Sequence, residues 1–276
     1  MLSIIISSYQ PHYFSALEKN IAETVGVPYE LIKVDNPDLM SICEAYNLGA
    51  AKARFENMLF LHEDVEFRTQ NWGEIVVNYL RKRNIGIIGV LGSDYVPNVP
   101  FAWWNLFENN FSHYTQYENG TLIGDYNLTE NKKASVIDGV FMAVRKEVFN
   151  EFRFNDKISG FHGYDVVFSL NVVAKYQNIV ISNIKIAHFS YAVNSLNREW
   201  MDTLIHSRKF YSVPRGQQIN KKKEVFSFLK FYAYLKQFSY PKTKIIVYLL
   251  KYSKFSTLGF RGLLKSSKLI FKEILA

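Results

Sequence analysis

The stretch Asn57-Met58-Leu59-Phe60-Leu61-His62-Glu63-Asp64 decides how this chain is read. Its first five residues have the length and composition of a buried strand. They run straight into a burst of charge. In an open α/β sheet, ligands bind beyond the carboxyl ends of the strands. The acids therefore stand at the edge where chemistry is expected. Hard oxygen donors there would suit a divalent cation that keeps open positions for phosphate oxygens. A solvated turn with a helix-capping acid fits the same residues, and spacing alone does not choose between the two.

Working outward, the spacing predicts a strand over Leu2–Ser7, then a helix from the repeat Phe14, Leu17, Ile21, Val25. A second strand is expected over Tyr29–Val34. Ser41 and Glu44 form a capping box for a helix running to about Arg54. Trp72–Arg81 reads as a helix and Ile85–Leu91 as a fourth strand. This alternation predicts the α/β class, with a mostly parallel Rossmann-like sheet and helices on both faces. From Gly92 to about Ser135 the pattern fails in a long, irregular segment rich in aromatics, among them Trp103 and Trp104. Those two could form a stacking surface for a ligand or fill core. Strand-like Val136–Val144, a short helix from Lys146, a helix over Tyr164–Tyr176 and a strand over Ile184–His188 follow. Phe226–Tyr240 and Ile245–Ile270, parted by Pro241, read as basic amphipathic helices.

The charge is divided. Residues 221–276 carry 13 Lys and Arg against 2 acids, a net of +11, while the remainder is at −3. A tail of that kind, with interleaved aromatics, fits an anionic membrane surface, or packing on the body. A body that is slightly acidic argues against a nucleic-acid groove. The single Cys43 excludes an intrachain disulfide and a cysteine zinc site, and suits a reducing compartment. No basic segment precedes the first strand, and apolar runs of about six residues fall far short of the roughly 20 that span a bilayer. The expectation is a cytoplasmic protein, peripheral on the inner face of the membrane. Its catalytic region would span 1–215 and its membrane-associating tail 216–276.

Three further groups could carry chemistry. Asp35-Asn36 ends the second strand, where Asp could accept from a nucleobase or ribose; Asp-Asn-Pro is also strong turn chemistry. Asp138-Gly139-Val140 and Phe161-His162-Gly163-Tyr164-Asp165 place acids beside glycines, as a proton acceptor or as a helix cap. His188 ends its strand as a metal ligand or a structural histidine.

Together, Tyr9, Asp35-Asn36, Asn47-x-Gly49, Phe60 to Asp64, Asp138 to Met142, Tyr164-Asp165 and His188 resemble the bacterial family 2 glycosyltransferases and their glycosyltransferase-like subgroup, over about residues 1–210. The resemblance implies a GT-A fold and inverting transfer of a sugar from a nucleotide-sugar donor, a uridine nucleotide first, to an acceptor hydroxyl. The acceptor it implies is a surface glycan or a lipid-linked one. It gives Tyr9, Asp35 and Asn36 to the nucleoside, and Asn47 to the ribose or diphosphate. His62 and Glu63 would lie along the nucleotide sugar, and Asp138 would face the donor sugar or acceptor. Asp64 and His188 would hold Mn²⁺ or Mg²⁺, and Asp165 would be the catalytic base. Three positions depart from the pattern: His62 replaces the first acid of Asp-x-Asp, Tyr164 replaces the Glu before the base, and Tyr46 stands where an Arg is usual. The Gln-x-x-Arg-Trp motif of processive synthases is absent, since Asn197-Arg198-Glu199-Trp200 is not that motif. A metal-dependent nucleotidyltransferase is the rival enzyme, but Ser7-Ser8-Tyr9-Gln10 follows the first strand in place of a Gly-rich phosphate loop. A non-enzymatic nucleic-acid- or membrane-binding protein is the rival outside enzymes.

Overall fold

The computed structural model describes residues 1–37, 39–190, 196–214 and 216–275. They run β1 (Leu2–Ser8), α1 (Pro11–Thr24), β2 (Tyr29–Asp35), α2 (Ile42–Lys52), β3 (Asn57–Leu61), β4 (Val65–Phe67), α3 (Trp72–Leu80), β5 (Ile85–Gly89) and β6 (Leu91–Ser93). Next come β7 (Asn110–Ser112), β8 (Tyr114–Glu118), β9 (Thr121–Asp125), β10 (Lys132–Ala134), β11 (Val136–Ile137) and β12 (Phe141–Arg145). The chain continues through α4 (Lys146–Phe152), α5 (Tyr164–Val172), β13 (Gln177–Val180), β14 (Ile186–Ser190) and α6 (Arg198–Ser207). It closes with α7 (Lys221–Gln237), α8 (Lys242–Tyr252) and α9 (Phe255–Leu275).

A seven-stranded sheet in the order β10-β13-β5-β12-β3-β1-β2 forms the centre. β1, β2, β3, β5 and β13 run one way; β12 is antiparallel to both β3 and β5, and β10 to β13. The period-2 alternation of a strand sends side chains to both faces. Leu2, Ile4 and Ile6 of β1, with Leu59 and Leu61 of β3, pack under α1 and α3. Ile5, Met58 and Phe60 pack under α2, α4 and α5 on the other face. Buried on both sides, these strands read as nearly unbroken apolar runs. The Ser41–Glu44 capping box is present, with the Ser41 hydroxyl accepting from the Glu44 amide and the Glu44 carboxylate from the Ser41 amide.

Residues 92–135 are more regular than their sequence promises. Two 3₁₀ turns at Trp103–Asn105 and Phe107–Asn109 precede four short strands. The hairpin β8–β9 turns at Asn119-Gly120, both with positive φ (49° and 77°), the Asn-Gly signature of a tight hairpin. It joins β14 and β4 in a second sheet, β4-β14-β8-β9. The expected single strand Val136–Val144 is broken at Asp138–Val140.

The helices after residue 220 do not stand apart from the body. Phe228, Phe231 and Leu235 of α7, with Ile245 and Leu249 of α8, share one apolar cluster with Tyr95, Phe101, Trp200 and Leu204. Buried Glu224 clamps α7 down, accepting from the Tyr95 hydroxyl (2.8 Å), the Asn98 amide (3.1 Å) and the Asn98 side chain (2.9 Å). Glu224→Ala strands three donors in a buried place. It is expected to lower stability by about 3 kcal/mol, read from the denaturant midpoint at unchanged slope. No helix among the described residues is long and apolar enough to cross a membrane.

Candidate active site

β3 delivers Leu61 to the sheet edge, and the pairings around it assemble the site. Antiparallel β12 lies on β3 with Phe141 opposite Leu61, and the His62 amide donates to the Val140 carbonyl at 3.2 Å. The break at Asp138–Val140 therefore sits against the charge cluster. On the other side, β14 pairs antiparallel with β4, His188 opposite Val65, and the Phe189 amide donates to the Asp64 carbonyl at 2.9 Å. That register sets His188 beside Asp64.

His62, Asp64 and His188 form a cluster whose ligand atoms all lie within 4.8 Å of one another. Asp64 Oδ2 is 3.4 Å from His188 Nε2, and Asp64 Oδ1 is 3.9 Å from His62 Nδ1. Two imidazoles and a carboxylate converging on one point fit a divalent transition metal. The His188 ring is fixed by its other nitrogen, 3.0 Å from Gln116 Oε1 on β8. The Gln116 amide nitrogen donates to the Tyr117 carbonyl and the Ser190 hydroxyl. Its oxygen is thus the acceptor, His188 Nδ1 carries the proton, and Nε2 is left facing Asp64. Burial works against charge on all three. It holds His62 below its ordinary pKa. At His188 and Asp64 burial is outweighed by their mutual hydrogen bond and attraction, which raise the histidine and lower the aspartate.

Asp165 opens α5 behind Gly163, whose positive φ (76°) suits a residue without a Cβ. Its carboxyl is pushed up to about 7 by burial first and by the negative charge of Asp138 second; the amides of Val166 and Gly139 pull it part-way back. A base poised near neutrality is what proton abstraction requires. Asp138 accepts from the Val140 amide at 2.9 Å and acts electrostatically on His62, His188 and Asp165 alike. Asp138→Asn removes that repulsion. The acidic limb of any rate governed by Asp165 is expected to move to lower pH, visible in a kcat/KM profile between pH 5 and pH 8. His62, Asp138 and Asp165 line one cavity of about 170 Å³, together with Trp104 and Trp200. Trp103 also borders it but is core, 1% exposed against Val96, Val136, Val166 and Leu170.

The remaining candidates divide. Tyr9 (61% exposed) follows β1 and Asp35 ends β2, in register through the Ser8–Asp35 pair; Asp35 is salt-bridged to Lys33 at 2.6 Å. Both are open to a ligand. Asn36 is not. Buried, it accepts from the Leu39 and Met40 amides and donates to Ser7 and the Met40 carbonyl, so it shapes the loop. Glu63 turns inward as well, one carboxylate oxygen accepting from the Tyr9 and Gln10 amides at 3.1 and 2.9 Å. Glu63 holds the β1–α1 turn and Asn36 the loop beside it. Asn47 donates to the Phe154 carbonyl (2.9 Å) and Asp156 (2.6 Å), tethering the segment that leads to Asp165.

Residues 3–223 match the family described as "Glycosyltransferase like family". The chain belongs to that family. No curated protein matches it in sequence. Among solved structures it is similar to GalNAc-T7 in complex with UDP, GalNAc and Mn²⁺, with a TM-score of 0.55 and 12% identity over all of this chain. This chain spans 57% of that one. It is also similar to the mannosyltransferase PcManGT from Pyrobaculum calidifontis in complex with GDP-Man and Mn²⁺, with a TM-score of 0.52, 9% identity, and coverage of 98% of this chain and 86% of that one. Likeness at this identity shows the shared GT-A fold.

Within this glycosyltransferase-family fold, two departures from the family pattern turn out to be neighbours. His62 Nε2 lies 3.0 Å from the Tyr164 hydroxyl. Tyr164 also fills the space above Gly139, where a Cβ would overlap its hydroxyl, so any larger residue there must displace the Tyr164 ring. The first link joins residues 102 apart, which no local pattern in the sequence reports. Gln116 went unseen for the same reason as β8. The Asn119-Gly120 turn was the available signal, since it predicts a hairpin whose arms include Tyr114 to Glu118.

Proposed function

We propose that this glycosyltransferase-family chain is an inverting, metal-assisted hexosyltransferase. It would use a nucleotide-diphosphate sugar, with UDP the first choice, and an acceptor hydroxyl on a bacterial surface glycan such as capsule or lipopolysaccharide. The observation carrying this reading is the placement of Asp165, its carboxyl near neutrality, in one cavity with His62 and thus next to the His62–Asp64–His188 cluster. Asp165 would take the acceptor proton as the oxygen attacks the anomeric carbon from the face opposite the nucleotide. A buried base beside the cation cluster suits a single displacement, with Asp138, held by the Val140 amide, lining the same cavity.

Asp64, His62 and His188 would hold a divalent cation, which when bound neutralises charge developing on the departing diphosphate. Two nitrogen donors in three favour Mn²⁺ over Mg²⁺, which prefers oxygen. Tyr9 and Asp35 would take the nucleoside, and Asp138 the donor sugar or acceptor. Calorimetry with UDP, GDP and dTDP, with and without Mn²⁺, tests the donor class. Tight, Mn²⁺-dependent binding of one nucleotide supports the reading. Binding of none of the three sinks it. NMR of the first-formed product tests the stereochemistry, and retention at the anomeric carbon would exclude the single displacement.

A further inference from the structure

The outer side of α9 is unlike the rest of the surface. Phe260, Leu264, Phe271, Ile274 and Leu275 are between 49% and 83% exposed. Their spacing of four, seven, three and one residues keeps them on one side of a helix at 3.6 residues per turn. Arg261, Lys265, Lys268 and Lys272, all exposed, run along one flank of that stripe. α8 adds Val247 and Leu250, each 59% exposed, among Lys244 and Lys251. The inner sides of these helices are already occupied, with Ile245, Leu249 and Leu258 in the shared core.

The acids decide what the outer face can meet. Residues 221–275 contain two, and both are spent inside the fold. Glu224, 1% exposed, holds Tyr95 and Asn98; Glu273, 2% exposed, accepts from the Tyr232 hydroxyl at 2.7 Å and pairs with Lys236 at 3.1 Å. What these helices offer to solvent is therefore apolar, cationic or uncharged polar, with no side-chain carboxylate. Two copies meeting through this face would bring like charges together. An anionic lipid surface meets both demands, phosphates for the cations and acyl chains for the stripe.

We infer that α9, aided by α8, is an interfacial docking face for an anionic phospholipid bilayer, lying in the headgroup plane with Phe260, Leu264 and Phe271 inserted. The test is co-sedimentation of the full chain, without nucleotide or metal, so that it is independent of the transferase reading. The vesicles are phosphatidylcholine alone, or phosphatidylcholine mixed with phosphatidylglycerol. The wild type is expected to pellet with the mixed vesicles and to stay in solution with the neutral ones. Phe260→Ser/Leu264→Ser/Phe271→Ser is expected to lower the partition coefficient by roughly 100-fold or more, as lost apolar burial. Lys265→Gln/Lys268→Gln/Lys272→Gln is expected to lower it on the order of 100-fold. Both variants alter exposed side chains and should melt with the wild type. Three results would overturn the inference. One is wild type left in solution with the mixed vesicles. Another is the apolar variant pelleting as well as the wild type. The third is a wild-type dimer, without lipid, that the apolar variant converts to monomer.

Discussion

Asp165→Asn is expected to lower the transfer rate on the order of 10²–10⁴-fold, to leave nucleotide affinity unchanged, and to raise the melting temperature at pH 8. The three effects share one cause. The Asp165 carboxyl is buried beside Asp138, which pushes it up to about 7 from an ordinary value of 3.8. A group whose folded pKa lies above its unfolded one binds its proton more tightly in the native state. The stability this confers is complete below the unfolded value near 4 and disappears as pH rises through about 7. At pH 8 the wild type carries a desolvated carboxylate facing Asp138, whereas asparagine has no charge to desolvate. At pH 4 the two should melt almost alike, because the wild-type carboxyl is then protonated. A melting curve at each pH, beside single-turnover rates, separates the possibilities. Equal melting at pH 8 would mean that Asp165 is not held near neutrality. Retained transfer would move the base elsewhere in the cavity.

β1, β3 and β5 of the central sheet were legible because they are buried on both faces. Leu2 to Ser7, Asn57 to Leu61 and Ile85 to Gly89 carry their own apolar signature, and Ser41-x-x-Glu44 announces its helix. The second sheet was not. β8 is only partly buried and β9 is mostly exposed; β8 depends on pairing with β14, which lies about 70 residues away and no local pattern reports. β13 is four residues long and starts with Gln177-Asn178; the buried Asn178 side chain donates to the Ser169 and Ser135 carbonyls and accepts from the Ile87 amide. A polar pair of that kind reads as loop until its partners are known. The site shows the same split. Strand-end acids could be located from the sequence, but their orientation could not. Glu63 and Asp64 are adjacent letters, yet one turns inward to hold the turn after β1 and the other outward to two histidines. The β4–β14 register, a long-range fact, makes that assignment.

Asp64→Ala should be the most damaging change on the cation side of the site. Asp64 is the sole carboxylate of the cluster, and each of its oxygens faces a different imidazole, at 3.4 and 3.9 Å. Without it, His62 and His188 remain as two neutral donors with nothing to offset a doubly charged ion. Mn²⁺ binding, followed by calorimetry or by the loss of the free-ion electron paramagnetic resonance signal, is expected to vanish at millimolar protein. Transfer should fall by on the order of 10³-fold or more, the several kcal/mol that a cation contributes at a leaving diphosphate. Gln116→Ala provides the graded control. It replaces no ligand but releases the His188 ring from the tautomer that points Nε2 at Asp64, so Mn²⁺ affinity should drop by roughly 10–100-fold. Asp64→Ala binding Mn²⁺ as the wild type does would place the cation away from β3 altogether. Loss in Asp64→Ala with no change in Gln116→Ala would leave Asp64 as ligand but make His188 its ion-pair partner, with the third donor to be sought among His62 and the substrate phosphates.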